Sequence, residues 1–158
     1  MADLARRVDC PHATGERLFT LREFLDLAEK RAVAYVQPGM AQCGGLSGGR
    51  RIAAIAQAAH MRVAPHNPTG PVAGAVALHV DFATPNFVIQ QEAVGVVPWF
   101  EEICSSYPLA LNKGAWQVPT SPGLGIEVDE KAAARHPFEK ERTPALDAIL
   151  SDGRIANW

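Results

Sequence analysis

The sequence predicts an α/β fold of about four parallel strand–helix units, and three observations carry that expectation. Four short apolar runs, each trailed by a helix-like or loop segment, recur at a spacing of roughly thirty residues, which suits parallel strands joined by crossover helices. Proline and glycine punctuate the ends of these runs, as turns do between elements. Three of the four runs end in side chains able to do acid–base or metal work: Glu16, His66 and the Gln91/Glu92 pair, with Gly39 the exception. In barrels of alternating strands and helices, that end is where chemistry sits. A doubly wound open sheet would alternate in the same way, but its glycine-rich phosphate fingerprint is missing.

Taken in order, Ala2 to Val8 reads as the tail of an amphipathic helix, and Pro11 to Glu16 is a short segment ending in a carboxylate. Thr20 with Glu23 three residues on has the spacing of a capping box, and a helix then runs through Phe24, Leu25, Leu27 and Ala28. Ala32–Gln37 is strand-like and closes at Pro38-Gly39. Gly44-Gly45 leads into a helix that Ser47 is expected to start, with Ile52, Ala53, Ile55, Ala56 and Ala59 on its apolar face. Gly44-Gly45 and Gly48-Gly49 lack the Lys-Ser/Thr of a P-loop, so they read as a turn.

The stretch from Arg62 to Val72 organises the chain. An apolar run stops at His66, a turn rich in proline and glycine follows, and a helix is expected from about Val72 to Phe82. A histidine titrates near neutrality, so at a strand end it can give or take a proton. Asn86–Gln90 makes a further apolar strand. Beyond it, Val97-Pro98-Trp99-Phe100 is an aromatic anchor and Trp116–Thr120 an edge strand. Pro122–Val128 is a turn into one more extended piece, and Trp99, Trp116 and Trp158 read as packing anchors. The tail from Lys131 is polar and interrupted by Pro137, Pro144 and Gly153.

Composition bounds the function. A chain of 158 residues fits one domain and can bury a core. A formal net charge of −2, with charges scattered along the chain, gives no footprint for nucleic acid or a membrane surface. Cys10, Cys43 and Cys104 are odd in number and lack metal-site spacing, so they read as reduced thiols. No signal-peptide pattern follows Met1 and no apolar segment has membrane length, so a cytoplasmic protein is expected.

Five segments carry a resemblance as an ordered set: Ala13-Thr14-Gly15-Glu16-Arg17-Leu18, Gln37-Pro38, Cys43-Gly44-Gly45-Leu46, Ala64 to Pro71, and Pro122 to Glu127. Together with Asp152-Gly153 and Trp158, they resemble the carboxyl-terminal part of sugar-acid dehydratases in the mandelate racemase group of the enolase superfamily. The resemblance implies the C-terminal part of a TIM-type (β/α) barrel, with 1–128 as half-barrel, 129–158 as a tail packed on it, and the family's N-terminal capping domain absent. It implies a lyase acting on a small sugar acid (an aldonate, galactonate-like). Such an enzyme removes the proton alpha to the carboxylate, expels water and uses Mg²⁺ to stabilise the enediolate. Glu16 resembles the metal ligand on the fifth barrel strand, and His66 the acid/base on the seventh. Glu92 is the candidate last-strand acid, with Gln91 and Asn67 as substrate-binding candidates.

Three departures from the family pattern set expectations about activity. The chain starts about where the fifth strand would lie, so two of three metal carboxylates are expected to be missing. Gly39 stands where relatives carry the Asp that orients the histidine. On the last strand, relatives read Ile-Gln-Glu where this chain reads Ile89-Gln90-Gln91-Glu92, so either Gln91 replaces the acid or one residue is inserted and Glu92 serves. The alternative to an enzyme is an inactive fragment acting as an interaction module. In either case open strand edges predict a homo-oligomer or a companion chain that completes the barrel.

Overall fold

A computed structural model of the protein describes residues 1–93, 97–106, 111–140 and 151–153. Four extended runs lie side by side in sequence order, and all of them are parallel. The first three pair as β1 (Ala13–Thr14), β2 (Tyr35–Val36) and β3 (Arg62–Val63). The third run continues past Pro65 as β4 (His66–Asn67), which pairs with β5 (Gln91–Glu92). Parallel bridges Gly39↔His66 and Val63↔Phe87 join these pieces. The expected strand at Asn86–Gln90 is thus only a bridge at Phe87, and regular pairing resumes at Gln91.

The cause of that interruption is local. Along the third run, the N–H groups of Arg62, Ala64 and His66 donate to Ala34, Val36 and Pro38 on the second. Val63 N–H points the other way, to Asn86. Pro65 should donate next on that side and has no N–H, so one rung of the ladder is lost. Opposite the gap, Phe87 to Gln91 spans four residues where Val63 to His66 spans three. The extra residue is a β-bulge, and it rotates the end of the last strand.

Each strand feeds a helix. Helix α2 (Leu21–Glu29) begins at a capping box: Thr20 Oγ1 accepts from Glu23 N, while Glu23 Oε2 accepts from Thr20 N at 2.8 Å and Phe19 N at 3.0 Å. Those hydrogen bonds, with the Thr20 hydroxyl first among them, hold the Glu23 carboxyl below its ordinary range. Helix α3 (Gly45–Ala58) starts two residues before Ser47, because Gly44 takes the left-handed φ of 93° and breaks the chain there. Helix α4 (Pro71–Phe82) carries proline in its first turn, where a missing N–H costs nothing. The N-terminal helix, α1, spans only Ala2–Ala5.

Sequential parallel strands joined by right-handed crossovers put all three long helices on one face of the sheet. Val36 and Val63, both fully buried, meet Phe24, Ile52, Ala53, Ala56 and Val80 there. The opposite face carries Ala13, Tyr35 and Arg62 at the same level, and these are exposed or half-exposed. The architecture is α/β and consistent with part of a TIM-type barrel. Among the described residues, neither β1 nor β5 has a strand partner on its outer edge.

The remaining chain packs at the carboxyl end. Helix α5 (Phe100–Ile103) and helix α6 (Glu130–Ala133) are tied by Arg135 to Glu102 at 3.1 Å, and Trp99 stacks on His136 at 4.6 Å. The expected edge strand shrinks to a hairpin of β6 (Leu111–Asn112) and β7 (Ala115–Trp116), whose two-residue turn has positive φ at Lys113 and Gly114. Pro122–Val128 forms turns and no strand. Trp116 packs with Ala75, Leu78 and Cys104. Trp158 lies outside the described residues.

Candidate active site

Glu16, His66 and Gln91 converge at one end of the sheet. Glu16 follows β1 across Gly15, whose φ of 135° favours glycine and whose Cβ position lies 2.9 Å from both Gln37 N and Phe24 Cε1. No larger residue fits that approach, and it turns Glu16 over the strand ends. His66 Nδ1 lies 3.5 Å from Glu16 Oε2 and 2.7 Å from Gln91 Oε1. The His66 side chain is 13% exposed and that of Glu16 40% exposed, so the imidazole sits in the floor and the carboxylate at the rim. Both oxygens accept hydrogen bonds, so a neutral His66 carries its proton on Nδ1 and keeps the Nε2 lone pair.

The bulge decides which residue of the last strand joins them. Gln91 is in register with His66, and Glu92 with Asn67 on the other face. Asn67 is 2% exposed, and its amide is fully engaged within the chain. Nδ2 donates to Gly70 O at 3.0 Å and Glu92 Oε1 at 2.6 Å, while Oδ1 accepts from Thr69 N at 3.3 Å and Thr69 Oγ1 at 2.9 Å. This Asx-type turn shapes the loop that carries His66. Glu92 and Asn67 therefore do not share the rim with His66 and Glu16.

Gly39 bridges directly to His66, at the position facing the imidazole-bearing strand. Its backbone lies outside the left-handed region, so nothing local demands glycine. A Cβ there would overlap only the carboxamide oxygen of Gln42, the far end of a flexible side chain, and would clear His66 O by 3.6 Å.

One functional group escaped the sequence reading. Asp81, on α4, is 6% exposed, and neither carboxyl oxygen has a hydrogen-bond partner. Burial, with the Glu92 carboxylate as a second cause, pushes its carboxyl up to about 8. The signal in the sequence is an acid in a helix whose other side chains, His79 apart, are apolar.

This sheet, its one-sided helices and a histidine–carboxylate rim at the strand ends are the features of a (β/α)-barrel enzyme segment. The chain belongs to the enolase C-terminal domain-like family, whose model matches residues 1–132. It is 36% identical to D-galactonate dehydratase of Xanthomonas oryzae pv. oryzae over 98% of this chain and 42% of that protein. It is 33% identical to D-galactonate dehydratase of Ralstonia pickettii, again over 42% of the relative. Among solved structures, a mandelate racemase/muconate lactonizing enzyme from Sulfitobacter superposes with a TM-score of 0.82 at 35% identity, covering 89% of this chain and 35% of that one. A second, from Jannaschia, gives 0.81 at 31% identity, covering 89% of this chain and 36% of that one. The chain thus spans less than half the length of the relatives it matches.

Enolase-superfamily enzymes are generally magnesium-dependent, so the fit of this chain to Mg²⁺ can be judged from its donors. Among the described residues, no three His, Cys, Asp or Glu side chains are grouped to hold a metal ion. Glu16 is the carboxylate beside His66, with a neutral amide at Gln91 and glycine at position 39. Mg²⁺ demands near-octahedral oxygen geometry and gives up its waters reluctantly. These residues do not make a Mg²⁺ site by themselves. No helix of the described residues is long and apolar enough to cross a membrane.

Proposed function

We propose that the chain is the proton-transfer portion of a sugar-acid (aldonate) dehydratase, in which His66 is the acid/base. The observation that carries this reading is the His66 Nδ1 contact to Gln91 Oε1 at 2.7 Å, with Glu16 behind it, at the strand ends of a family-typical sheet. Holding the proton on Nδ1 leaves Nε2 to take the proton alpha to a carboxylate or to protonate a departing hydroxyl. Loss of the C2 proton and the C3 hydroxide as water leaves an enol, which becomes a 2-keto-3-deoxy acid. Glu16 is assigned as one acidic ligand of a centre that needs further carboxylates from elsewhere. Gln91, not Glu92, takes the last-strand position at the rim, and Asn67 acts by shaping the His66 loop.

A second reading, an inactive interaction module, is favoured by the same donor set: one carboxylate and Gly39 in place of an orienting acid. Production of 2-keto-3-deoxy acid from D-galactonate at millimolar Mg²⁺ separates the two. The dehydratase reading expects turnover where a companion chain supplies the further carboxylates, raised about tenfold or more by Gly39→Asp, since a carboxylate there orients the imidazole and stabilises its charged form. No turnover by either protein in such a complex supports the interaction module.

Assembly follows from the open edges. Among the described residues, β1 and β5 have no strand partner on their outer edges, and Ile89 beside β5 is 63% exposed. We expect a dimer, or a complex with a companion chain, in which the β1 edge meets a β5 edge. Multi-angle light scattering reads this directly, and a monodisperse monomer with a cooperative melt would show that the edges are covered from within the chain.

A further inference from the structure

On the helix-bearing side of the last strand, away from His66, a cavity of about 570 Å³ opens between α4, β5 and the β6–β7 hairpin. Its walls include Leu78, Phe82, Phe87, Ile89 and Trp116, and its acidic groups are Asp81 and Glu92. The volume suits a small ligand, and such sites combine apolar walls with a few placed polar groups. Asp81 is the anomaly. It is more than nine-tenths buried, lines this cavity, and neither carboxyl oxygen meets a donor. A buried carboxyl without a partner is costly, and the site described above makes no use of it.

We propose that this cavity binds an alkylguanidinium cation, its head group on Asp81 and its aliphatic stem along Leu78, Phe87 and Trp116. Three features select that chemistry. A planar carboxyl group that lines the cavity and whose two oxygens meet no donor within the chain matches the two parallel N–H donors of a guanidinium fork. The mostly apolar walls favour the weakly hydrated guanidinium over a compact, strongly hydrated ammonium. Trp116 lines the same cavity, and an indole ring is the aromatic partner that a guanidinium favours. Glu92, already held by Asn67 at 2.6 Å, adds negative potential from the opposite wall. The inference is independent of the dehydratase reading, because it uses neither His66 nor Glu16.

Isothermal titration of the purified chain with n-butylguanidinium tests it, with pentanamide as the uncharged counterpart of similar length. The expected result is saturable one-to-one binding of the cation, weakened at least about tenfold by Asp81→Asn, and no comparable binding of pentanamide. Wild-type affinity should also rise between pH 6 and 8, because the cation competes with the proton on Asp81. Glu92 on β5 is the charged group that acts on Asp81 among the described residues. The pH arm uses unaltered protein, so it holds even if the variant folds poorly. Binding that is equal for pentanamide, insensitive to Asp81→Asn in a folded variant, flat with pH, or absent would overturn the assignment. If blocked arginine methylamide binds more tightly than n-butylguanidinium, the natural source is an arginine of a polypeptide; the reverse order points to a free metabolite.

Discussion

Replacing His66 with Asn is expected to lower any aldonate dehydration by this protein by about 10³-fold or more, to the limit of detection. Asparagine keeps a polar contact to Gln91 but has no nitrogen that exchanges protons near neutral pH. His66 is the titratable side chain in the floor of the rim, and Glu16, more exposed and 3.5 Å away, cannot replace it as acid and base in turn. The loss should appear in kcat, with the thermal melt within a few degrees of wild type. Glu92→Gln should leave turnover nearly intact, because Glu92 faces Asn67 and Asp81 on the other side of the sheet. Turnover that survives His66→Asn but falls with Glu92→Gln would reverse this assignment of faces.

Stability is expected to fall as pH rises from about 4 to 8, and Asp81 is the reason. Its carboxyl titrates at about 8 in the folded chain, against an ordinary value near 4 when unfolded. Between these values the folded chain binds a proton that the unfolded chain has released, so unfolding becomes easier with each step in pH. Below about pH 4 both states are protonated and the group contributes no slope. Above about 8 both are ionised and the loss is complete, up to about 5 kcal/mol. Asp81→Asn removes the linkage. Urea denaturation of both proteins at pH 4.5, 6 and 8 should show wild type losing ground steadily to the variant. Parallel profiles would mean that Asp81 ionises in the fold without penalty.

What could be read from the sequence was what periodicity and local chemistry encode. The capping box at Thr20 and Glu23, the α4 boundaries and the arrival of His66 at a strand end all follow from short-range rules, and each is where those rules place it. The start of α3 was displaced because the left-handed Gly44 outweighs Ser47 as a chain breaker. The face of the last strand was not legible. It depends on a bulge at Val88–Gln90 that answers a missing N–H at Pro65, some twenty-five residues away. A pairing defect between two strands leaves no periodic mark on either of them. Asp81 is hard to read for a similar reason: the residues flanking it, Val80 and Phe82, are apolar, and only the fold brings Glu92 to it.

Glu16, His66 and Gln91 meet at one rim without the further carboxylates that a Mg²⁺ centre needs. Calorimetric titration of the isolated chain with Mg²⁺ tests it most directly. One carboxylate, an imidazole and an amide predict affinity no better than about millimolar. Micromolar affinity that is lost on Glu16→Gln would contradict the account, since it would require the full ligand set around Glu16 within this chain.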